Sequence, residues 1–192
     1  MGRIVVTEFV SLDGVMEDPG GAEGFKYGGW TFKIEQGEEG GKFKMEETRD
    51  SAALLLGRVT YQEFAKAWPS QDGEFAHKFN SMPKYVVSST LEKPDWNNST
   101  VLKGDVVKSV SKLKQTLKGD IVVHGSAKLV QTLIANDLVD ELRLMVFPVV
   151  LGSGKRLFGP TTDQKPLRLV DSKTVGDGIA ILIYQRAGKE AK

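Results

Sequence analysis

The sequence of 192 residues contains no cysteine and only two histidines, His77 and His124, which lie far apart in the chain. The lack of cysteine excludes disulfide bonds, cysteine-ligated zinc and cysteine nucleophiles, and it fits a protein of the reducing cytoplasm. Two distant histidines argue against a histidine-rich metal site, so no metal is expected. No apolar stretch reaches the length of a membrane span, and the first ten residues lack a signal-peptide pattern.

An excess of charge of one sign is also missing, because 26 Lys and Arg residues face 25 Asp and Glu residues, which leaves a net charge of +1 at pH 7. Such a balance gives no overall field that would attract nucleic acid or an anionic membrane, so neither is expected as a partner. Apolar residues at 40% and charged residues at 27% are typical of a globular protein. Since the chain has no internal repeat, linker or low-complexity tract, residues 1–192 are predicted to form one α/β domain.

The most informative stretch spans residues 119–138. The apolar run at 121–123 predicts a buried strand, and apolar residues at spacings near 3.6 over 129–138 predict the helix that follows. Between the two, Gly125 allows close approach to the backbone and Ser126 is suited to cap the helix. Free N–H groups and the helix dipole favour an anion at such a terminus. The pattern therefore predicts a pyrophosphate site, although a turn made only for packing stays an open alternative.

Two further junctions follow the predicted strands at 54–56 and 84–87. They carry small, hydroxyl or arginine residues, namely Gly57, Arg58, Thr60, Ser88 and Ser89. An arginine offers a planar fork of donors for phosphate, and hydroxyl groups can bind a phosphate or a ribose or can cap a turn. The carboxyl ends of neighbouring strands form the ligand-binding edge of an open α/β sheet. An elongated ligand with several phosphates is therefore predicted to touch all three junctions.

The first strand is predicted at 3–10, and it places Asp13 near the strand end where α/β proteins carry catalytic groups. An ordinary Asp-Gly turn is the alternative. Residues 17–41 are predicted to form a long surface loop, in which Trp30 either stacks on a flat ligand ring or plugs the edge of the core. A helix is predicted at 43–53.

The remaining pattern predicts helices at 62–68, 74–79 and 107–117, a strand at 142–151 interrupted by Pro148, a hairpin of strands at 167–175 and 179–186, and a frayed tail at 187–192. A parallel body followed by this hairpin gives a mixed, mostly parallel sheet. The apolar strands at 142–151 and 179–184 are expected to leave an edge that pairs in a homodimer.

Five stretches in this order resemble the dihydrofolate-reductase-like superfamily, and more closely the reductase domain of the bifunctional riboflavin-biosynthesis deaminase/reductase. They are SLDGVME at 11–17, LLLGRVTY at 54–61, KYVVSSTL at 84–91, VVHGSAKLVQTL at 122–133 and LVDELRLMVFPVVLGSGKRLF at 138–158. The resemblance implies a three-layer αβα fold. Since the 192 residues contain no cytidine-deaminase motif, only the reductase part is expected.

The resemblance further implies an NADPH-dependent reductase of a pyrimidine- or pterin-like substrate, similar to 5-amino-6-(5-phosphoribosylamino)uracil reductase. The implied cofactor residues are Gly57, Arg58, Thr60, Ser88, Ser89, Gly125, Ser126 and Leu129. Trp30 is implied to line the substrate pocket, and Asp13 is the candidate catalytic residue, which would orient the substrate or relay a proton. Basic residues for a substrate phosphate are expected in the loop that contains Gly152, Lys155 and Arg156. Two charge-assisted hydrogen bonds of ~1.5–3 kcal/mol each would favour NADPH over NADH by roughly 10²–10⁴.

Two alternatives stay open. One is dihydrofolate reduction, for which the superfamily carries an acidic residue on its first helix. Glu46, Glu47 and Asp50 occupy that region, but the sequence assigns none of them to the role. The other is a non-catalytic nucleotide-binding protein on the same fold, because fold does not fix function.

Overall fold

The computed structural model describes residues 1–160 and 163–187, so the part of the predicted tail at 188–192 lies outside the described residues. Within the described part, eight strands and five α-helices follow one another as β1 (Gly2–Ser11), α1 (Gly37–Asp50), β2 (Ser51–Gly57), α2 (Arg58–Ala67), α3 (Glu74–Ser81), β3 (Lys84–Val87), β4 (Ser99–Leu102), α4 (Val106–Thr116), β5 (Gly119–Val123), α5 (Ala127–Ala135), β6 (Glu141–Phe147), β7 (Leu167–Val175) and β8 (Ile179–Arg186). Short 3-10 helices lie at Trp30–Lys33 and Trp68–Ser70.

The strands form one sheet in the order β4-β3-β2-β5-β1-β6-β8-β7. All pairs from β4 to β6 are parallel, and β8 runs antiparallel to both β6 and β7. The sheet is therefore mostly parallel with an antiparallel C-terminal hairpin, as the sequence predicted. In this register Gly57 pairs with Val87, so β2 and β3 end side by side at the same edge.

Helices cover both faces of the sheet because successive strand residues point to opposite sides. In β2, Leu54 and Leu56 pack with aromatic residues of α2 and α3, whereas Leu55 faces the core that α4 and α5 cover. The result is the predicted three-layer αβα arrangement. None of the helices in the described part of the chain is long and apolar enough to cross a membrane.

The hairpin strands and β3 lie at their predicted residues, but other boundaries differ. The helix predicted at 43–53 spans Gly37–Asp50, and the residues after it begin β2. Strand β2 is central and pairs with β3 on one side and β5 on the other. Ala52 and Ala53 therefore belong to this strand and not to the predicted helix. Helix α2 begins directly at Arg58, four residues earlier than predicted. The strand predicted at 142–151 ends at Phe147, because Pro148 has no N–H to continue the ladder.

The predicted dimer edge at 142–151 and 179–184 is wrong. Strand β6 lies between β1 and β8, and β8 lies between β6 and β7, so neither is an edge. The hairpin folds back and places β7 outside, where eight of its nine residues are exposed.

Candidate active site

A cleft of about 1070 Å³ opens at the carboxyl edge of the parallel strands. Its walls come from β1, from the residues that follow β2 and β5, from the first turns of α2 and α5, and from the long loop before α1. The cleft lies at the edge where the sequence predicted a ligand site, since parallel strands bring their ends together. Across residues 1–160 and 163–187, no group of three or more His, Asp or Glu side chains is arranged to hold a metal ion.

The β2–α2 and β5–α5 junctions are tied together at the rim of the cleft. The Gly57 N–H donates to Ser126 Oγ at 2.9 Å, and the Ser126 N–H donates to Thr60 Oγ1 at 2.9 Å. Ser126 occupies the N-cap position of α5, but its side chain makes no capping bond within the described chain, so its predicted capping role is wrong. Its left-handed backbone, with φ of 59°, presents the hydroxyl to Gly57 instead.

Gly125 fits this junction for two reasons. Its φ of +55° favours glycine, and a Cβ atom built there would lie 2.9 Å from Thr60 Oγ1. The close approach sets the N-termini of α2 and α5 side by side, and the exposed side chains of Arg58 and Lys128 line the same part of the cleft. Two helix dipoles and two cations suit a ligand with several phosphates. The residues present therefore fit the pyrophosphate of a dinucleotide.

The third predicted junction has a different arrangement. The Ser88 hydroxyl accepts hydrogen bonds from the backbone N–H groups of Thr90 and Leu91, at 3.1 and 2.9 Å, and so builds the turn after β3. Ser89 is exposed, and neither serine is among the described residues that line the cleft. Of the cofactor residues predicted beyond the two tied junctions, only the buried Leu129 contributes to its wall.

The floor of the cleft contains a buried acid that the sequence interpretation missed. Glu8 is only 6% exposed, and its Oε1 atom has no hydrogen-bond partner among the described residues. Burial raises the pKa of Glu8 well above its ordinary value, against the opposing effects of a hydrogen bond from the Gly125 backbone and of the Lys44 charge. The signal that pointed to it was a charged residue inside the otherwise apolar strand RIVVTEFV.

Lys44 of α1 also lines the cleft and is held in place by polar contacts. Its Nζ donates to Thr7 Oγ1 at 2.7 Å and to Glu47 Oε2 at 2.5 Å, and the Thr7 hydroxyl donates to the same carboxylate at 2.9 Å. The remaining acids of this helix, Glu38, Glu39, Glu46 and Asp50, are exposed. None of the five acids of α1 is among the lining residues, so a pterin-gripping carboxylate is not provided from this helix.

One wall of the cleft is aromatic. The rings of Phe75 and Phe79 stack at 4.6 Å between centroids, and Phe79 lies 5.3 Å from the ring of His124. Burial, with the nearby Lys44 charge, lowers the pKa of His124 well below its ordinary value, so the imidazole is neutral at pH 7. Such a wall suits a flat, uncharged ring.

Trp30 does not contribute to this wall. It is 2% exposed, packs edge-to-face on Phe147 at 5.3 Å and donates from Nε1 to the Glu17 carbonyl at 2.9 Å. The structure thus corrects the predicted substrate contact and gives Trp30 its alternative role at the edge of the core. The aromatic side chain that this loop presents to the cleft is Phe32, which is 78% exposed.

The structure also corrects the position of Asp13. Its carboxylate accepts hydrogen bonds from the Ser11 hydroxyl at 2.6 Å, from Leu151 N–H at 3.1 Å and from Gly152 N–H at 2.9 Å. These bonds lower the pKa of Asp13 to about 2. An ionised carboxylate with both oxygens engaged, outside the lining of the cleft, fastens a loop and has no proton to give at neutral pH.

The basic loop meets the cleft only in part. Gly152 and Arg156 both bind the turn at Asp13. The Gly152 N–H donates to the Asp13 carboxylate, and the Arg156 guanidinium donates to the Asp13 backbone carbonyl. Neither residue lines the cleft. Lys155 does line it, but its ammonium group is 2.9 Å from a Glu17 carboxylate oxygen. The positive charge that the sequence predicted for a substrate phosphate is therefore already paired.

Comparison with known families gives a match over most of the chain. The family model of the RibD C-terminal domain matches residues 3–181. Among curated proteins, the uncharacterized protein YyaP of Bacillus subtilis strain 168 is 32% identical over 140 residues, which cover 70% of this chain and 74% of YyaP. The uncharacterized protein YwjB of the same strain is 29% identical over 178 residues, which cover 93% of this chain and 94% of YwjB.

Solved structures show the same architecture. A putative riboflavin biosynthesis protein from Shewanella sp. PV-4 superposes with a TM-score of 0.77 at 22% identity, covering 97% of this chain and 99% of the other. A pyrimidine reductase-like protein from Corynebacterium diphtheriae gives a TM-score of 0.66 at 11% identity, covering 97% and 92%. The predicted dihydrofolate-reductase-like α/β fold is thereby confirmed.

Proposed function

The chain belongs to the RibD C-terminal domain family, as its motifs predicted, and we propose that it is an NADPH-dependent reductase of a pyrimidine-like substrate, resembling 5-amino-6-(5-phosphoribosylamino)uracil reductase. The observation that carries this proposal is the pair of helix N-termini tied together through Gly57, Thr60 and Ser126 beside an apolar cleft. A site for several phosphates next to a pocket for flat rings is what a dinucleotide cofactor and a heterocyclic substrate require.

In this proposal the first turns of α2 and α5 hold the cofactor phosphates, with Arg58 and Lys128 as their cationic partners. The bound cofactor supplies the hydride, and the protein supplies binding, orientation and electrostatics. Ser88 and Ser89 stand at the neighbouring strand end, where the family resemblance implies the adenosine 2′-phosphate.

The aromatic wall and Phe32 support a planar substrate ring, and the neutral His124 keeps this wall uncharged. A pyrimidine fits these features with no need for a carboxylate on α1. Dihydrofolate has less support as a substrate, because none of the five acids of that helix lines the cleft.

A fluorescence titration with NADPH, and in parallel with NADH, tests the proposal, because Trp68 lines the cleft and reports binding. We expect micromolar binding of NADPH and much weaker binding of NADH. Arg58 is exposed and contacts only Gln62 among the described side chains, so Arg58→Gln should weaken NADPH binding by roughly 10–100-fold at unchanged stability. The exposed Lys112 of α4, which does not line the cleft, gives the control variant Lys112→Gln, which should bind as the unmodified protein does. Absence of binding by either nucleotide would contradict the reductase proposal.

We infer in addition that the protein forms a homodimer through β7, in place of the edge that the sequence suggested. This outer strand exposes Leu167, Leu169 and Val170, and an unpaired strand edge is a template for pairing with a second chain. Sedimentation of the unmodified protein should give a dimer, and Leu169→Lys should give a monomer. A monomeric unmodified protein would contradict this inference.

A further inference from the structure

We propose that Glu8 is the acid of the cleft, which donates a hydrogen bond to the C=N or C=O group of the substrate and delivers the proton that its reduction requires. This inference rests on the proposed function, since it concerns the same cleft. Nothing in the sequence motifs or in the relatives assigns a role to this residue.

The position of Glu8 is unusual for a residue that only stabilises the fold. It shares a strand face with Val6 and Val10, which belong to the apolar core beneath α4 and α5. A carboxyl oxygen left unpaired in such surroundings loses its hydrogen bonds to water without replacement, which destabilises the folded state. Because Glu8 is one of the residues that line the cleft and its buried Oε1 has no partner within residues 1–160 and 163–187, a ligand in the cleft is the candidate partner for this oxygen.

The groups around Glu8 suit a neutral acid that becomes an anion during the reaction. Lys44 and Glu47 act on it electrostatically from α1, and His124 follows the neighbouring β5 and is uncharged. Burial raises the pKa of Glu8 by more than the Lys44 charge lowers it, which favours the protonated form before the reaction. After proton transfer, Lys44 and the Gly125 backbone N–H stabilise the carboxylate that remains.

In the proposed step, a C=N or C=O double bond of the substrate is reduced to a single bond. The substrate carbon gains a hydride, whose two electrons come from the reduced nicotinamide of the proposed function. The O–H bond of Glu8 breaks, and its proton goes to the substrate nitrogen or oxygen. Water returns a proton to the carboxylate. The substrate class is thus a planar compound whose reducible group presents a hydrogen-bond acceptor, not an N–H donor, to the floor of the cleft.

Infrared spectroscopy of the protein without ligand tests the protonation state directly. The difference spectrum between the unmodified protein and Glu8→Gln at pH 7 should contain a carboxylic acid C=O band from Glu8, which is lost only at a pH well above that of a free glutamate. A carboxylate band for Glu8 at pH 7 would overturn the proposal, and this readout depends on neither cofactor nor substrate.

Kinetics test the proton transfer. Glu8→Gln keeps the shape and polarity of the side chain, so we expect unchanged NADPH affinity but a kcat lower by roughly 10²–10⁴ with 5-amino-6-(5-phosphoribosylamino)uracil, and a partial return of activity in Glu8→Asp. Equal kcat in Glu8→Gln and the unmodified protein would overturn the proposal while the reductase function stands. If the unmodified protein binds no NADPH, the proposed function fails, and the role of Glu8 in a reduction fails with it even where the acid band is present.

Discussion

Two buried glutamates on neighbouring elements, Glu47 of α1 and Glu8 of β1, are treated in opposite ways by the fold. Glu47 receives hydrogen bonds from Lys44 and Thr7, and its second oxygen, which has no hydrogen bond, lies 3.6 Å from the guanidinium of Arg143. Among the described residues, Glu8 has no such cation in contact and keeps an oxygen unpaired at the cleft. A buried carboxylate that is ion-paired with cations of other elements contributes to the fold. A buried carboxyl group without an ion pair in a cleft is a candidate catalytic residue.

The ion pairs that begin at Glu47 continue across the sheet. Arg143 of β6 also contacts Glu141 at 2.6 Å and Asp120 of β5 at 3.0 Å, and Asp120 in turn binds Arg3 of β1 at 2.9 Å. These ion pairs join three adjacent strands to α1 on one face. The positive and negative side chains of this network are therefore paired with one another, and they leave no strong unpaired charge with which a ligand could interact.

The largest expected effect separates the two glutamates by stability. Glu47→Gln removes the buried anion between the partly buried cations Lys44 and Arg143, and we expect it to lower the free energy of unfolding by about 3–5 kcal/mol. Glu8→Gln is the matched control, because it makes the same chemical change at a site without a salt bridge, and it should change the stability by less than about 1 kcal/mol. Urea unfolding at pH 7 measures both. Equal losses in the two variants would remove the distinction between them.

The second prediction concerns Gly125, at the rim of the cleft. In Gly125→Ala the new methyl group would meet Thr60 at 2.9 Å on a backbone with φ of +55°. We expect a loss of about 2–3 kcal/mol in stability together with weaker NADPH binding, since the two helix N-termini must move apart.

Gly104→Ala provides the control for this change. Gly104 also has a positive φ, +82°, but a Cβ atom there meets nothing within 4 Å, so only the backbone preference is lost, at about 1 kcal/mol. Thermal unfolding and the NADPH titration compare the two variants. An equal cost, with NADPH affinity kept in both, would show that the contact with Thr60 yields easily.

The sequence predicted those features that depend on neighbours along the chain. The strand KYVV, the C-terminal hairpin and the two strand–helix junctions at Gly57 and Gly125 follow from short patterns of apolar, turn and hydroxyl residues. The roles of Asp13 and Glu8 depend on distant partners, since the Asp13 carboxylate binds the backbone of Leu151, 138 residues away. Ser126 is intermediate, because its position at the start of a helix was predictable but its left-handed backbone, which redirects the hydroxyl, was not.

The smallest expected effect concerns Asp13, a third carboxylate, whose hydrogen bonds come from neutral donors and which has the Arg156 guanidinium 3.8 Å away. Its pKa is lowered to about 2, chiefly by the Ser11 hydroxyl and then by the Leu151 backbone, so the ionised form is stabilised in the folded state. That stability is complete above about pH 5 and is lost as the pH falls toward 2. Since 21% of the side chain remains exposed, solvent screening reduces the contribution to about 1–2 kcal/mol, which Asp13→Asn should remove at pH 7.

Urea unfolding of Asp13→Asn and of the unmodified protein at pH 7 and near pH 2 measures this contribution, and the difference between the two should shrink at the lower pH. A difference that stays constant would mean that the charge of the carboxylate is not its source.

Glu8 should change the pH dependence of stability in the opposite direction. A folded-state pKa above the unfolded value makes the buried acid costly to ionise, so its contribution to the free energy of unfolding falls as the pH rises. In turnover, Asp13→Asn should keep kcat within a few-fold, since its carboxylate fastens the loop at Leu151 and Gly152 and does not line the cleft. A fall in kcat comparable to that of Glu8→Gln would return Asp13 to the catalytic role that its place after the first strand suggested.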